Sequence, residues 1–274
     1  MAMRGFGSLG WDISEKLGEG GFGLVHAAYC RCTGYEAVAK RAASGKSIMN
    51  LRREADLMSR IRHENVIKIY EVVLDQYGRE WVIMERAYET LNEAVQRYGP
   101  WNDGFVARRG IELLSALEEV HYSDIVHRDV HIDNVLLTDW KGNQEPSIKL
   151  TDFGISKLLD ENNHGGYAFT KCGRVFDVAP ELVRTDHRSS FRSDVYQAGL
   201  CMYYMATGRA AVGPADGPPE VAISSGVARQ RAERLGTPLG QIIAKMLRRR
   251  AVYRYRSAAD VLADLHLFLY LYSN

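Results

Sequence analysis

Residues 125–137 read IVHRDVHIDNVLL, and the rest of the chain is organised around this stretch. Two apolar runs, Ile125-Val126 and Val135-Leu136-Leu137, enclose eight residues that are mostly polar or charged. Short β-branched runs of this kind are typical of buried strands, so the polar residues between them are predicted to form a loop in a rigid frame. This loop carries a carboxylate, Asp129, and an amide, Asn134.

A second carboxylate follows in KLTDFG at residues 149–154, a predicted strand that ends in an acid, an aromatic residue and a glycine. Asp129 can orient an attacking hydroxyl group and accept its proton. Asn134 and Asp152 offer the hard oxygen ligands that suit Mg²⁺ bridging the phosphates of ATP. Together these residues predict phosphoryl transfer.

The strings HRDVHIDN (127–134) and DFG (152–154) resemble the catalytic loop and the metal motif of eukaryotic-type (Hanks-type) protein kinases. Either string alone could occur by chance, but both in this order and close together favour the family. The resemblance implies an α+β, two-lobed protein kinase fold, in which a small antiparallel-sheet N-lobe with one regulatory helix precedes a larger, mainly helical C-lobe. We therefore expect one kinase domain with an N-terminal tail at 1–10, an N-lobe and hinge at 11–87, and a C-lobe at 88–274.

Gly18, Gly20 and Gly23 match the pattern G-x-G-x-x-G. Dinucleotide-binding folds use the same pattern before a helix, whereas the residues that follow Gly23 are predicted to form a second strand. A glycine-rich hairpin that closes over phosphates is therefore the better interpretation. Without a Cβ atom, the backbone amides can approach the phosphate oxygens closely.

Lys40 ends a short apolar strand, and the resemblance implies that it holds the α- and β-phosphates and pairs with a helix glutamate. A predicted amphipathic helix from about Ser47 to Arg60 places Glu54 on its inward side, as the candidate partner. A solvated Glu54 is the alternative. The resemblance also implies which residues contact the nucleotide, and Glu85 and Ala87 would do so through their backbone atoms. The implied contact residues are Leu17, Gly18, Gly20, Gly23, Val25, Val38, Lys40, Met84, Glu85, Ala87 and Leu136.

Two later features extend the resemblance towards the C-terminus. Ala179-Pro180-Glu181 matches the A-P-E motif, and Arg254 is the expected ion-pair partner of Glu181. Asp194 lies near the start of a predicted helix, where the family's aspartate anchors the backbone of the catalytic loop. The Glu181–Arg254 ion pair and Asp194 are both expected to have structural roles.

Two of the positions at which the chain departs from the family bear on the transferred phosphate. His131 stands where serine/threonine kinases usually carry lysine, and the charge of an imidazole depends on pH. Small-molecule phosphotransferases of kinase-like fold often have histidine there, which leaves a metabolite or antibiotic hydroxyl group open as the acceptor. Arg174 replaces a threonine, and we hypothesise that its guanidinium supplies the lost cation at the phosphate. The alternative is that Arg174 faces solvent.

The residues before the A-P-E motif suggest regulation by phosphorylation. Arg128 precedes the predicted catalytic aspartate, an arrangement that in the family pairs with a phosphate on the mobile segment. Thr170 is the predicted phosphorylation site, and Tyr167 is its nearest competitor. A phosphothreonine would bring about two negative charges near Arg128 and order the segment.

The composition excludes several other classes of protein. With 35 basic and 34 acidic residues the formal net charge is +1, which argues against a nucleic acid or an anionic membrane as the main partner. Four cysteines do not form a disulfide framework, so a cytoplasmic, reducing location is predicted. The most apolar stretch, Val261–Tyr272, contains Asp264 and is too short to span a bilayer. It is predicted to be a packed terminal helix.

The sequence thus predicts an ATP- and Mg²⁺-dependent protein kinase whose acceptor is a hydroxyl group of an unidentified protein, with serine or threonine favoured over tyrosine. Activation by autophosphorylation is expected, and a homodimer that phosphorylates in trans is left open. Two alternatives are a small-molecule phosphotransferase and a catalytically weak pseudokinase scaffold. A pseudokinase usually lacks one of the ionisable motif residues, and all of them are present here.

Overall fold

The chain folds as two compact units in the computed structural model. Unit 1 comprises Met1–Arg62 and Val66–Ala87, and unit 2 comprises His63–Asn65 and Tyr88–Asn274. The division after Ala87 coincides with the predicted boundary between the lobes. The structure describes residues 3–6, 10–20, 23–41, 55–138, 145–152, 175–183 and 189–272.

Unit 1 is an antiparallel barrel of six strands in the order β1-β2-β3-β4-β6-β5. Successive side chains of a strand point to opposite faces, and one set fills the interior of the barrel. The strands are β1 (Met3–Phe6), β2 (Trp11–Gly20), β3 (Gly23–Cys30), β4 (Glu36–Arg41), β5 (Ile69–Asp75) and β6 (Glu80–Glu85). The core cluster comprises Trp11, Ile13, Ala28, Cys30, Ala37, Ala39, Val73, Trp81 and Ile83.

Residues 3–6, which were predicted to belong to an N-terminal tail, form strand β1. Met3 is paired with Ile13 of β2, and Gly5 is paired with Asp75 of β5, so β1 closes the barrel. Edge strands expose unpaired backbone groups, and β1 satisfies those of two strands at once. Its four residues, MRGF, carry no apolar alternation that could have predicted the pairing.

Unit 2 is mainly helical and contains one small sheet in the order β7-β8-β9. The helix Asp103–Tyr122 begins where the Asn102 side chain accepts the backbone N–H of Phe105, and the helix Phe191–Thr207 ends at Gly208, whose φ is 65°. The elements are β7 (Glu89–Thr90), α1 (Leu91–Tyr98), α2 (Asp103–Tyr122), β8 (Val135–Leu137), β9 (Ile148–Leu150), α3 (Pro180–Val183), α4 (Phe191–Thr207), α5 (Pro219–Ser224), α6 (Val227–Glu233), α7 (Pro238–Met246) and α8 (Ala258–Tyr272), with 3₁₀ turns at Pro214–Asp216 and Ala251–Tyr253.

The helices of unit 2 approach closely at glycines. A Cβ atom on Gly199 of α4 would lie 2.9 Å from Cβ of Met246 on α7. A Cβ atom on Gly110 of α2 would lie 2.7 Å from Cε of Met202 on α4. The buried face of α2 carries residues that recur at three- and four-residue spacing in the sequence, namely Val106, Gly110, Leu113, Leu117 and Val120.

Residues 63–65 belong to unit 2 although they lie between segments of unit 1 in the sequence. The Asn65 side-chain amide donates to the carbonyl of Ile148 at 2.9 Å, and the N–H of Leu150 donates to the carbonyl of Asn65 at 2.8 Å. These bonds border β9 on the side away from β8 and fix the strand that leads to Asp152.

Two predictions about apolar runs have different outcomes. Val135–Leu137 forms β8, but Ile125-Val126 is not a strand. The N–H of Ile125 instead donates to the carbonyl of Val120 and caps α2.

The predicted terminal helix is confirmed as α8. Within the described ranges, no helix is long and apolar enough to cross a membrane.

Candidate active site

The backbone of the loop at 127–134 is held by a buried carboxylate from α4. Asp194 is fully buried, and its two oxygens accept the backbone N–H groups of His127 and Arg128, each at 2.8 Å. His121 donates to the same carboxylate at 2.8 Å through Nε2. The expectation that Asp194 anchors this loop is therefore confirmed.

Two residues at the candidate site have an unusual backbone conformation. Arg128 has a φ of 71° and Asp152 has a φ of 56°, both in the left-handed region that residues with a Cβ seldom adopt. Such a conformation costs about 1 kcal/mol or more and persists only where surrounding contacts enforce it. Both residues adjoin or belong to the predicted catalytic and metal positions.

His127 ties the loop to the strand that precedes Asp152. The backbone N–H of Asp129 donates to its Nδ1 at 3.3 Å, which leaves the proton on Nε2, and Nε2 donates to the carbonyl of Thr151 at 3.1 Å. Burial lowers the pKa of this imidazole, although the nearby carboxylates of Asp194 and Asp129 act in the opposite direction. His127 is thus a neutral cross-link.

The two candidate metal ligands are brought together within unit 2. Asn134 donates its side-chain N–H to the carbonyl of Asp129 at 2.9 Å, so its Oδ1 is the atom available to a cation. The backbone N–H of Thr151 donates to the carbonyl of Asn134 at 3.0 Å, and Asp152 is the next residue. One amide oxygen and one carboxylate form a donor set that fits a hard cation such as Mg²⁺.

Sequence reasoning missed a second polar anchor, Gln197. Its side chain is buried, with Oε1 accepting the N–H of Val130 at 3.4 Å and Nε2 donating to the carbonyl of Asp177 at 3.0 Å. Gln197 lies three residues after Asp194, on the same face of α4. A polar residue at that spacing in an otherwise apolar helix is the signal that could have identified it.

The register of β3, β4 and β6 places candidate nucleotide residues on one face of the barrel wall. Val25 is paired with Lys40, and Val38 is paired with Met84. Directly paired residues share a face, as do alternate residues of one strand, so all four point away from the interior that Ala37, Ala39 and Ile83 fill. Lys40 is nevertheless 5% exposed.

The glycine pattern occupies the β2–β3 hairpin. Gly18 is paired with Val25 and Gly20 with Gly23, which confirms a strand rather than a helix after the glycines. Gly23 has a φ of 129°, open to glycine but strained for other residues. Leu17, also on β2, is exposed.

The remaining predicted nucleotide contacts lie in both units. Glu85 ends β6, and Ala87 is the last residue of unit 1. Leu136 lies in the middle of β8, paired with Thr90 and Lys149.

The predicted ion pair between Glu181 and Arg254 is confirmed. Two guanidinium nitrogens donate to the two carboxylate oxygens at 2.7 and 2.8 Å, and the arginine side chain is fully buried. Burial opposes ionisation of Glu181, but hydrogen bonds from Arg254 and Ser193 outweigh it and lower the pKa of the carboxyl group. This pair ties α3 to the segment that carries Arg254.

Four predicted residues lie outside the described ranges, namely Glu54, Tyr167, Thr170 and Arg174. Their roles remain predictions from the sequence.

Comparison with known proteins gives one consistent family. The model of a family described as "Protein kinase domain" matches residues 11–264. The chain is 32% identical over 211 residues to CBL-interacting protein kinase 25 of Oryza sativa subsp. japonica, covering 73% of this chain and 40% of that protein. It is 30% identical over 211 residues to the serine/threonine-protein kinase pkn3 of Myxococcus xanthus, covering 72% of this chain and 38% of that protein. The chain thus spans about two fifths of the length of these relatives.

The fold has a counterpart among solved structures. A crystal structure of Rad53 1–466 in complex with AMP-PNP superimposes with a TM-score of 0.73 at 22% sequence identity, covering 92% of this chain and 64% of that one. This likeness confirms the predicted two-lobed fold, with an antiparallel N-lobe in unit 1 and a helical C-lobe in unit 2.

Proposed function

Because the chain belongs to the protein kinase domain family, we propose that it transfers the γ-phosphoryl group of ATP to a protein hydroxyl group, of serine or threonine rather than tyrosine. One arrangement in unit 2 carries the proposal. Asp129 and Asn134 lie on a loop whose backbone is anchored by Asp194, and Asp152 follows a residue that is hydrogen-bonded to Asn134. The names of the two relatives support the choice of serine or threonine.

Asp129 is the proposed catalytic base. Its backbone is held on both sides, by His127 at its N–H and by Asn134 at its carbonyl, so its side chain projects from a fixed backbone. It would orient the acceptor hydroxyl group and take its proton as the phosphoryl group is transferred. Catalysis would then depend mainly on positioning and charge stabilisation.

Unit 1 is the proposed nucleotide-binding part. Lys40, with Glu54 as its partner, would hold the phosphates, and Gly18, Gly20 and Gly23 would cover them with backbone amides. The complex of Rad53 with AMP-PNP supports nucleotide binding by this fold. When Mg²⁺ is bound by Asn134 and Asp152, it supplies positive charge that neutralises the phosphate oxygens.

Regulation is proposed through the segment that precedes Ala179. Phosphorylation of Thr170, with Tyr167 as the competing site, would provide an anion for Arg128, and Arg174 would supply a cation at the transferred phosphate. Thr170→Ala is expected to lower activity, and Arg174→Ala to lower the turnover number. An Arg174→Ala variant with an unchanged turnover number would exclude the second role.

A small-molecule phosphotransferase is the second candidate, because histidine at position 131 is frequent in that class. The Glu181–Arg254 ion pair argues against it, since such enzymes typically lack the A-P-E segment and its arginine partner. The pseudokinase alternative is disfavoured because Lys40, Asp129, Asn134 and Asp152 are all present.

The test is phosphorylation by the purified chain with Mg-ATP, alone and with a library of serine, threonine and tyrosine peptides, mapped by mass spectrometry. We expect phosphate on the chain and on serine or threonine peptides, and a loss of about a hundredfold or more in Asp129→Asn. Asp124→Asn is the matched control, because Asp124 is exposed, has a φ of 55° and is expected to retain activity. Phosphate on small hydroxyl compounds alone would favour the second candidate, and no transfer with retained ATP binding would favour a scaffold.

A further inference from the structure

His131 has a fixed orientation in the catalytic loop. Its side chain is buried, and the backbone N–H of Asp133 donates to its Nδ1 at 3.2 Å. A ring nitrogen that accepts a hydrogen bond carries no proton, so a neutral His131 carries its proton on Nε2. The backbone is fixed as well, because the carbonyl of His131 accepts the N–H groups of Asn134 and Val135.

The Nε2 atom of His131 faces the proposed catalytic base. It lies 3.6 Å from Oδ1 of Asp129, and the two side chains are 7% and 5% exposed. This distance is somewhat longer than a hydrogen bond, but catalytic hydrogen bonds are often long before substrates bind and shorten in the complex. At so little exposure, a donor beside a carboxylate interacts more strongly than it would in water.

We infer that His131 is a positioning residue whose Nε2–H holds the carboxylate of Asp129 in the orientation that receives the acceptor hydroxyl group. The inference rests on the proposed function for its catalytic meaning. His127 and Asn134 act on the backbone of Asp129, whereas His131 faces its carboxylate and acts on the orientation of the side chain itself. During transfer, the proton of the acceptor passes to Asp129, and His131 keeps its own proton.

This role differs from that of a cation directed at the transferred phosphate. A phosphate contact does not require a particular neutral tautomer, whereas the bond from Asp133 leaves Nε2–H as the only ring donor of the neutral form. It also differs from packing alone, since an apolar side chain of similar size would then serve as well.

A spectroscopic test does not depend on catalysis. Long-range ¹H–¹⁵N spectra of the histidine-labelled chain are expected to show His131 with a protonated Nε2 and an unprotonated Nδ1 when neutral. Asp129→Asn is expected to move the Nε2 resonance of His131 and to leave that of the exposed His266 in place. A neutral His131 protonated on Nδ1, or an Nε2 resonance insensitive to Asp129→Asn, would overturn the inference.

A kinetic test measures the consequence for transfer. His131→Leu, which removes the donor, is expected to lower kcat about ten- to a hundredfold with little change in KM for ATP. His131→Gln, which places an N–H at a similar reach, is expected to recover most of that loss. His266→Leu is the matched control, and melting temperatures of all variants identify any loss that is due to unfolding.

The outcomes separate this inference from the proposed function. If the wild-type chain phosphorylates no protein while the spectra show the expected tautomer and its coupling to Asp129, the proposed function fails and the pairing stands. If the wild type is an active protein kinase and His131→Leu keeps its kcat, or loses affinity for ATP alone, the positioning role is excluded.

Discussion

The carboxylate of Asp194 accepts the backbone N–H of Arg128, a residue that the fold holds at a φ of 71°. The same carboxylate accepts the N–H of the preceding residue, His127, so it stabilises two consecutive peptide groups that make no strand ladder. A buried acid on α4 thus determines the shape of the loop that presents Asp129. The hydrogen bonds from these two peptide groups to Asp194 stabilise the strained backbone conformation of Arg128.

We expect Asp194→Asn to destabilise unit 2. We also expect it to lower kcat and to change KM less. The amide retains one acceptor oxygen but turns an N–H group towards a backbone N–H, which leaves buried donors unsatisfied at a cost of about 1–3 kcal/mol. Urea denaturation and steady-state kinetics measure the two effects. Asp124→Asn, the same change at an exposed residue of positive φ, serves as the control. Wild-type values for both quantities would show that the anchor is dispensable.

Arg254→Met is expected to lower the free energy of unfolding by about 3 kcal/mol, because it leaves the carboxylate of Glu181, which is only 22% exposed, without its arginine partner. The arginine also donates to the carbonyls of Arg248, Arg192 and Arg249, and these acceptors lose their donor as well.

The control for this ion pair is Arg256→Met at an exposed neighbour, where a change within about 0.5 kcal/mol is expected. Combining Arg254→Met with Glu181→Gln should cost less than the sum of the two single variants. Strict additivity in this double-mutant cycle would contradict a coupled pair.

Acidification is expected to destabilise the protein through His127. Because burial lowers the pKa of the folded imidazole, the unfolded chain takes up a proton as the pH falls below about 6.5 while the folded chain does not. Stability is therefore lost as the pH decreases from about 6.5 towards the folded pKa, by at most about 1.4 kcal/mol per pH unit.

Denaturation of wild type and His127→Asn at pH 7.5, 6.5 and 5.5 measures this contribution. The variant keeps an acceptor for the N–H of Asp129 but does not titrate, so its stability should depend less steeply on pH. His266→Asn, at an exposed position, should follow the wild type. Equal slopes for all three proteins would refute the assignment.

Gly199→Ala is expected to destabilise unit 2 by about 1–3 kcal/mol, because the new methyl group would lie 2.9 Å from Cβ of Met246 and force α4 away from α7. Gly213→Ala is the control, since a Cβ atom there meets nothing within 4 Å and the backbone is extended. Thermal unfolding of the two variants tests the comparison. A melting temperature of Gly199→Ala equal to that of the control would mean that the helices can separate freely.

Much of the candidate site was predictable because the chemistry is local in the sequence. Asp129 and Asn134 lie on one short loop, and Gly18, Gly20 and Gly23 lie on one hairpin, so residue types, spacing and the strand predicted after Gly23 together indicated what they can do. Strand β4, the face of α2 and the terminal helix α8 were predictable for a related reason. Strand β4 and helix α8 are short runs rich in apolar residues, and the apolar residues of α2 recur at helical spacing, so each segment carries its own signal.

Other features depend on contacts that no local pattern records. Strand β1 forms between the next strand, β2, and the distant strand β5, and its own four residues carry no signal of this pairing. Ile125-Val126 has the composition of a strand, yet the backbone that follows it is bonded to Asp194, 66 and 67 residues further along the chain. Gln197 was missed for the same reason, since its partners Val130 and Asp177 lie in different segments.

By itself, the sequence determined the family, the order of its motifs and the residue types that phosphoryl transfer requires, because these are written in short, ordered strings. Only the tertiary structure decided that His131 turns Nε2 towards Asp129, that His127 is a neutral cross-link, and that Arg128 and Asp152 adopt left-handed backbones. The physical reason is that tautomers, ring orientations and strained dihedrals are set by the donors and acceptors that surround a residue. Those groups arrive from distant parts of the chain when it folds.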